Sequence, residues 1–79
     1  MLSTLADLPI GTEGRVARLD GAPADARRLV EMGLTSGARI RVVRQAPLGD
    51  PIEVSVRGCR FSIRRADACA VILLPPDHV

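Results

Sequence analysis

The stretch from Ile52 to Ile63 constrains the fold more than any other part of the chain. Ile52, Val54 and Val56 alternate with Glu53, Ser55 and Arg57, and after Gly58 the alternation resumes as Cys59, Phe61 and Ile63 against Arg60, Ser62 and Arg64. Apolar residues at every second position place one face of a strand against a core and the other against water. Arg57-Gly58, between the two runs, has the length and composition of a tight hairpin turn, because glycine accepts positive φ without steric cost. Two antiparallel strands are therefore expected here, with Cys59 on the same face as Phe61 and Ile63 and hence in the core.

The remaining signals arrange themselves around this hairpin. Ser3 and Thr4 precede Leu5, Ala6 and Leu8 as candidate caps of a short helical turn, which Pro9 ends. Gly14 to Asp20 reads as a strand whose alternation slips at Val16, Ala17 and Leu19, and a β-bulge accounts for the slip. Gly21 to Leu34 contains the one good helix, of eight to ten residues. Pro23 suits its first position, Asp25 its first turn, and Ala26, Leu29 and Val30 form an apolar stripe. Arg27 and Glu31 stand four apart for a surface pair. Gly33 is a left-handed stop, after which Leu34 can pack back on the last turn. Ala38 to Arg44 is a further strand, Ala46 to Pro51 a loop dense in turn residues, and Arg65 to Ala68 a short turn. Ala70 to Leu74 is a final apolar strand stopped by Pro75-Pro76. Five short strands in so small a chain must curl and close to cover their core. The expected fold is mainly β: a small five-stranded SH3-like barrel with one inserted α-helix and short helical turns.

With 79 residues there is room for one domain, 1–79, with an ordered core at about 3–75 and a tail at 76–79. A domain of this size buries only about 60% of the surface its unfolded chain exposes, so the core is thin. Hydrophobic residues make up 47% of the chain and charged residues 25%, and the net charge is +2, which is globular rather than disordered composition. All eleven basic residues are arginine, and acids are interspersed among them. No basic, apolar leader opens the chain and no run approaches the ~20 apolar residues of a membrane span. A soluble cytosolic protein with reduced thiols is expected.

Residues suited to catalysis are few. The single histidine, His78, falls on the tail, where it is poorly placed to serve as a general base. The pairs Gly11/Gly14 and Gly33/Gly37 lack the Gly-Lys-Ser/Thr ending and the strand-then-helix setting of a phosphate loop. Cys59, Cys69, Asp77 and His78 are the candidate metal ligands, but the gap between the cysteines matches no common metal-site spacing. Cys69, like Cys59, is read as a small core residue. Arg39, Arg41, Arg44, Arg57, Arg60 and Arg64 would make a basic face for nucleic acid, yet Phe61, the one aromatic, supplies no platform for base stacking. No enzyme activity, cofactor, metal or nucleic-acid partner is assigned on these grounds. What is left is contact with another protein. Met32, Leu34 and Leu48 are apolar residues at or near loops. Met32 and Leu34 are candidates to line a cleft between helix and barrel, with Arg27, Arg28 and Glu31 as its polar rim. Sealing of the core around the helix is the competing reading of the same three apolar residues.

The order of these signals resembles the FeoA family. The likeness begins at LADLPIG, Leu5 to Gly11, and strengthens at RRLVEMGLTSGARIRVV, Arg27 to Val43. It continues at PLGDPIEVSVRG, Pro47 to Gly58, and at FSIRRADACAV, Phe61 to Val71. The resemblance implies an SH3-like fold without enzymatic activity and a role as accessory protein of bacterial ferrous-iron uptake. It also implies a partner, the cytosolic GTP-binding region of the FeoB permease, which would recruit the protein to the inner face of the membrane. A nucleic-acid-binding barrel and a metal carrier are the alternatives, and self-association through an exposed sheet edge stays open.

Overall fold

In the computed structural model, residues 3–75 are described. Among them six strands form, β1 (Ser3–Thr4), β2 (Glu13–Leu19), β3 (Arg39–Gln45), β4 (Ile52–Val56), β5 (Cys59–Ile63) and β6 (Val71–Leu73). Two α-helices, α1 (Pro23–Glu31) and α2 (Arg65–Ala68), and two 3₁₀ turns at Leu5–Asp7 and Pro47–Gly49 complete the set. The strands hydrogen-bond in the order β1-β6-β2-β3-β4-β5, and every pairing is antiparallel. Helix α2 sits against the Leu5–Asp7 turn, so the two ends of this curled sheet approach through helical segments rather than through a ladder.

The hairpin follows from its alternation. Val56 pairs with Cys59 across Arg57 (φ 53) and Gly58 (φ 80), the two positive φ values of a type I′ turn. Ile52, Val54, Val56 and Ile63 are buried. The bulge expected in the first long strand lies between Val16 and Arg18, where the register with β6 shifts. A second shift in β3, between Val42 and Arg44, leaves Val43 half-buried. The sixth strand is β1. Its two residues pair with Leu73 and Ile72, a span too short to carry a period-two pattern.

Helix α1 begins at Pro23, as its sequence requires, and ends in a complete glycine lock. Gly33 adopts φ +101, its N–H donates to the Val30 carbonyl at 2.9 Å, and the Leu34 N–H donates to the Leu29 carbonyl at 3.0 Å. Leu34 thereby folds back beside Leu29, and both side chains are removed from water. The apolar stripe is narrower than expected, because Val30 points outward at 46% exposure. Arg27 and Glu31 form no ion pair; Arg28 instead bridges Asp25 at 3.8 Å and Asp67 of α2 at 2.8 Å. At the amino end, Asp7 accepts hydrogen bonds from the Thr4 N–H and hydroxyl, both at 3.2 Å, which closes the first turn.

Candidate functional site

Helix α1 does not cover the whole barrel. Between it and the carboxyl end of β5 runs an open groove of about 220 Å³. Leu29 of α1, Met32 just after it and Ile63 of β5 give it an apolar floor, while Ser62, Arg64 and the Arg28–Asp67 ion pair edge it. Asp67 is 16% exposed and Arg28 55%, so the bridge is anchored on its acidic side and wet on its basic side. It ties α1 to α2 and holds one wall of the groove in place.

The residues singled out from the sequence divide sharply. Met32 is half-buried, packs against the core and lines the groove, and Arg28 lines it too. Arg27 and Glu31 are exposed on α1 outside the lining. Leu34 is wholly buried and cannot line a cleft, because the left-handed Gly33 turns it inward. Leu48 lies elsewhere, fully exposed with φ 72 at the tip of the Pro47–Gly49 turn. That turn is fastened to α2: the Arg65 N–H donates to Asp50 Oδ1 at 3.1 Å and Arg65 Nη1 to the Gly49 carbonyl at 3.5 Å. A second depression, of about 310 Å³, lies beside it between Arg44, Pro47, Pro51, Glu53 and Ser62. Ser62 borders both hollows, which puts β5 between them.

Both cysteines are exposed, contrary to the core placement expected for them. Cys59 adjoins the hairpin turn on β5, exposed although its partner Val56 is buried, and Cys69 caps α2 ahead of the last strand rather than within it. Among the described residues no three His, Cys, Asp or Glu side chains converge on a common point. Asp77 and His78 lie outside the described residues. Of the six arginines expected on one face, Arg44 is taken up by Glu53 across the strands at 2.6 Å. Arg39, Arg41 and Arg57 do share a shallow hollow with Glu13, and Arg15 joins this side as the Cα partner of Arg39.

Ser62, Arg64 and Asp67 were not anticipated as groove residues. Alternation identifies the face a β5 residue occupies but not whether its strand lies at the rim of the sheet. Nothing local links Arg28 to an acid 39 positions away.

Against known proteins, the FeoA domain profile matches residues 3–75. The chain belongs to the FeoA domain family. It is 34% identical over 67 residues to a Fe(2+) transport protein A/Fe(2+) transporter FeoB fusion protein of Porphyromonas gingivalis, covering 85% of this chain and 8% of that protein. Among solved structures, the FeoA protein of Chlorobium tepidum superposes with a TM-score of 0.83 at 39% identity, over 95% of this chain and 73% of that one. FeoA of Stenotrophomonas maltophilia, solved with zinc and described as an SH3 domain protein, superposes with a TM-score of 0.78 at 35% identity, over 89% and 87% of the two chains. The SH3-like barrel read from the strand pattern is thus the fold of the family. The family is associated with bacterial ferrous-iron transport, and in one relative the FeoA domain shares a polypeptide with FeoB. No helix among the described residues is long and apolar enough to cross a membrane.

Proposed function

We propose that this FeoA domain is a non-enzymatic accessory protein of ferrous-iron uptake that docks, through the α1–β5 groove, on the cytosolic GTP-binding region of a FeoB-like permease. The observation that carries the reading is the P. gingivalis fusion, in which a homologous domain is covalently joined to FeoB. A domain joined to FeoB in one polypeptide is held where the two can touch, and a surface on the domain that accepts part of FeoB would serve that contact. The groove supplies such a surface. At about 220 Å³ it is smaller than the ~300–1,000 Å³ of ligand pockets, and it suits one or two side chains of a protein partner. Met32 at its floor is unbranched and adapts to what is inserted.

Such a module regulates only if it binds two states of the permease unequally, since equal binding shifts no equilibrium. The test is calorimetric titration of the isolated cytosolic GTP-binding region with this protein, in the presence of GDP, a non-hydrolysable GTP analogue, or neither. Binding that differs between nucleotide states is expected, and Met32→Asp should abolish it while thermal unfolding stays near wild type. Absence of binding in all three conditions refutes the proposal. Loss of the fold in Met32→Asp assigns Met32 to the core instead of the interface.

A further inference from the structure

Strand β5 has one neighbour in the sheet, and its free side opens on the groove. In an antiparallel pair, residues exchange both hydrogen bonds at alternate positions. The two-residue turn makes Val56 and Cys59 such a pair, so Phe61 and Ile63 also bond inward to Val54 and Ile52. The N–H and C=O groups of Arg60 and Ser62 therefore point away from β4, and no other backbone group among the described residues takes them up. Their side chains, with that of Arg64, stand on the outer face and are exposed. On the other face, half-buried Phe61 and buried Ile63 lead toward Leu29 and Met32 across the groove.

We infer that β5 is a docking edge for an extended acidic segment, which adds to the sheet as a seventh strand and lays its apolar side chains in the α1 groove. The charge on the edge selects the occupant. A second copy pairing antiparallel about Ser62 would set Arg60 against Arg64 twice, and like charges directly opposite destabilise a strand pair. Arg57, Arg60 and Arg64, like five other arginines, form no ion pair within the described residues, and Arg60 and Arg64 flank Ser62 on the exposed face of the edge. A segment that reads acidic, apolar, small polar, apolar, acidic meets every demand at once. Its acids face Arg60 and Arg64, its central residue faces Ser62, and its apolar residues face Phe61 and Ile63. The pattern is palindromic, so it fits in either strand direction. Main-chain hydrogen bonds then supply the affinity and the alternate side chains the specificity. In assigning the segment to the permease's cytosolic region the inference rests on the docking proposal; the chemistry of the edge stands without it.

The experiment uses two blocked peptides, one centred on Glu-Val-Thr-Val-Glu and one on Arg-Val-Thr-Val-Arg, titrated into the ¹⁵N-labelled protein. The acidic peptide should bind saturably, protect the Arg60 and Ser62 amides from hydrogen exchange, and outbind the basic peptide by about tenfold or more. Ser62→Pro removes an outward donor and no ladder bond, so the fold should persist while affinity falls about tenfold. Arg60→Glu with Arg64→Glu, both on exposed side chains, should reverse the preference between the peptides, which keeps the test decisive should Ser62→Pro unfold. Equal binding of both peptides, unprotected Arg60 and Ser62 amides, or protection that appears without peptide as protein concentration rises each overturns the inference, the last in favour of a second copy. The permease's GTP-binding region separates the two proposals. If it binds wild type and Ser62→Pro equally, strand addition is wrong and the docking proposal survives. If the peptide binds and that region does not, the edge stands and the partner is another protein.

Discussion

Replacing Leu34 by Ala separates the core of this barrel from its groove. Leu34 has no exposure to solvent and lies beside Leu29, locked there by the Leu34 N–H to Leu29 carbonyl bond after Gly33. The substitution deletes three side-chain carbons and leaves the backbone bonds intact. At about 0.8 kcal/mol for each buried methylene, transfer alone costs about 2.4 kcal/mol, and the residual cavity brings the total to about 3 kcal/mol. In a domain of this length, each kcal/mol moves the midpoint by about 4–8 °C, so Tm should fall by about 12–24 °C. Thermal unfolding followed by circular dichroism measures the fall, and titration with the GTP-binding region well below both midpoints measures binding. Affinity at that temperature should stay within about threefold of wild type, because Leu34 does not reach the groove surface. A midpoint lowered by less than about 4 °C would mean that Leu34 is not the clasp between α1 and the barrel. Lost affinity in a folded variant would return Leu34 to the binding surface and refute the division drawn here.

Two further outcomes test the local geometry. Arg57 occupies a left-handed position, φ 53, that asparagine adopts more readily, so Arg57→Asn should raise stability in a urea titration by about 0.5–1 kcal/mol. A double-mutant cycle on Arg28→Ala and Asp67→Ala should return a coupling below about 1 kcal/mol, since Arg28 is more than half exposed and water screens the pair.

How far the sequence reaches is clear from particular residues. The β4–β5 hairpin was legible because its period and its turn agree, and the end of α1 because glycine after a helical stripe has few other uses. Cys59 misled: it continues the apolar alternation, but it opens an edge strand and is exposed although Val56, its partner across the turn, is buried. Val30 misled because a helix this short buries only a narrow line of contacts through Leu29. Strand β1 and the Arg28–Asp67 bridge depend on chain segments far apart in sequence, and no local pattern encodes them. The groove was half legible. Met32 and Arg28 were named from their place at the helix end, whereas Ser62 and Arg64 were hidden because alternation is silent about the order of strands in a sheet.

That order has a mechanical consequence. Ser3 and Leu73 are Cα partners, so the outer ends of β1 and β6 meet at one point of the barrel. Tension between them would part the β1–β6 ladder one rung at a time instead of shearing its rungs together, and two rungs stand there among the described residues. A polypeptide that continued from one side alone, as in a fusion, would put no load across that seam. One that continued from both sides and was pulled would peel β1 from the barrel first, while β3, β4 and β5, contiguous in the sheet, bore none of the initial strain. Under such a load the described fold would open first at the seam between β1 and β6, the end of the sheet opposite β5.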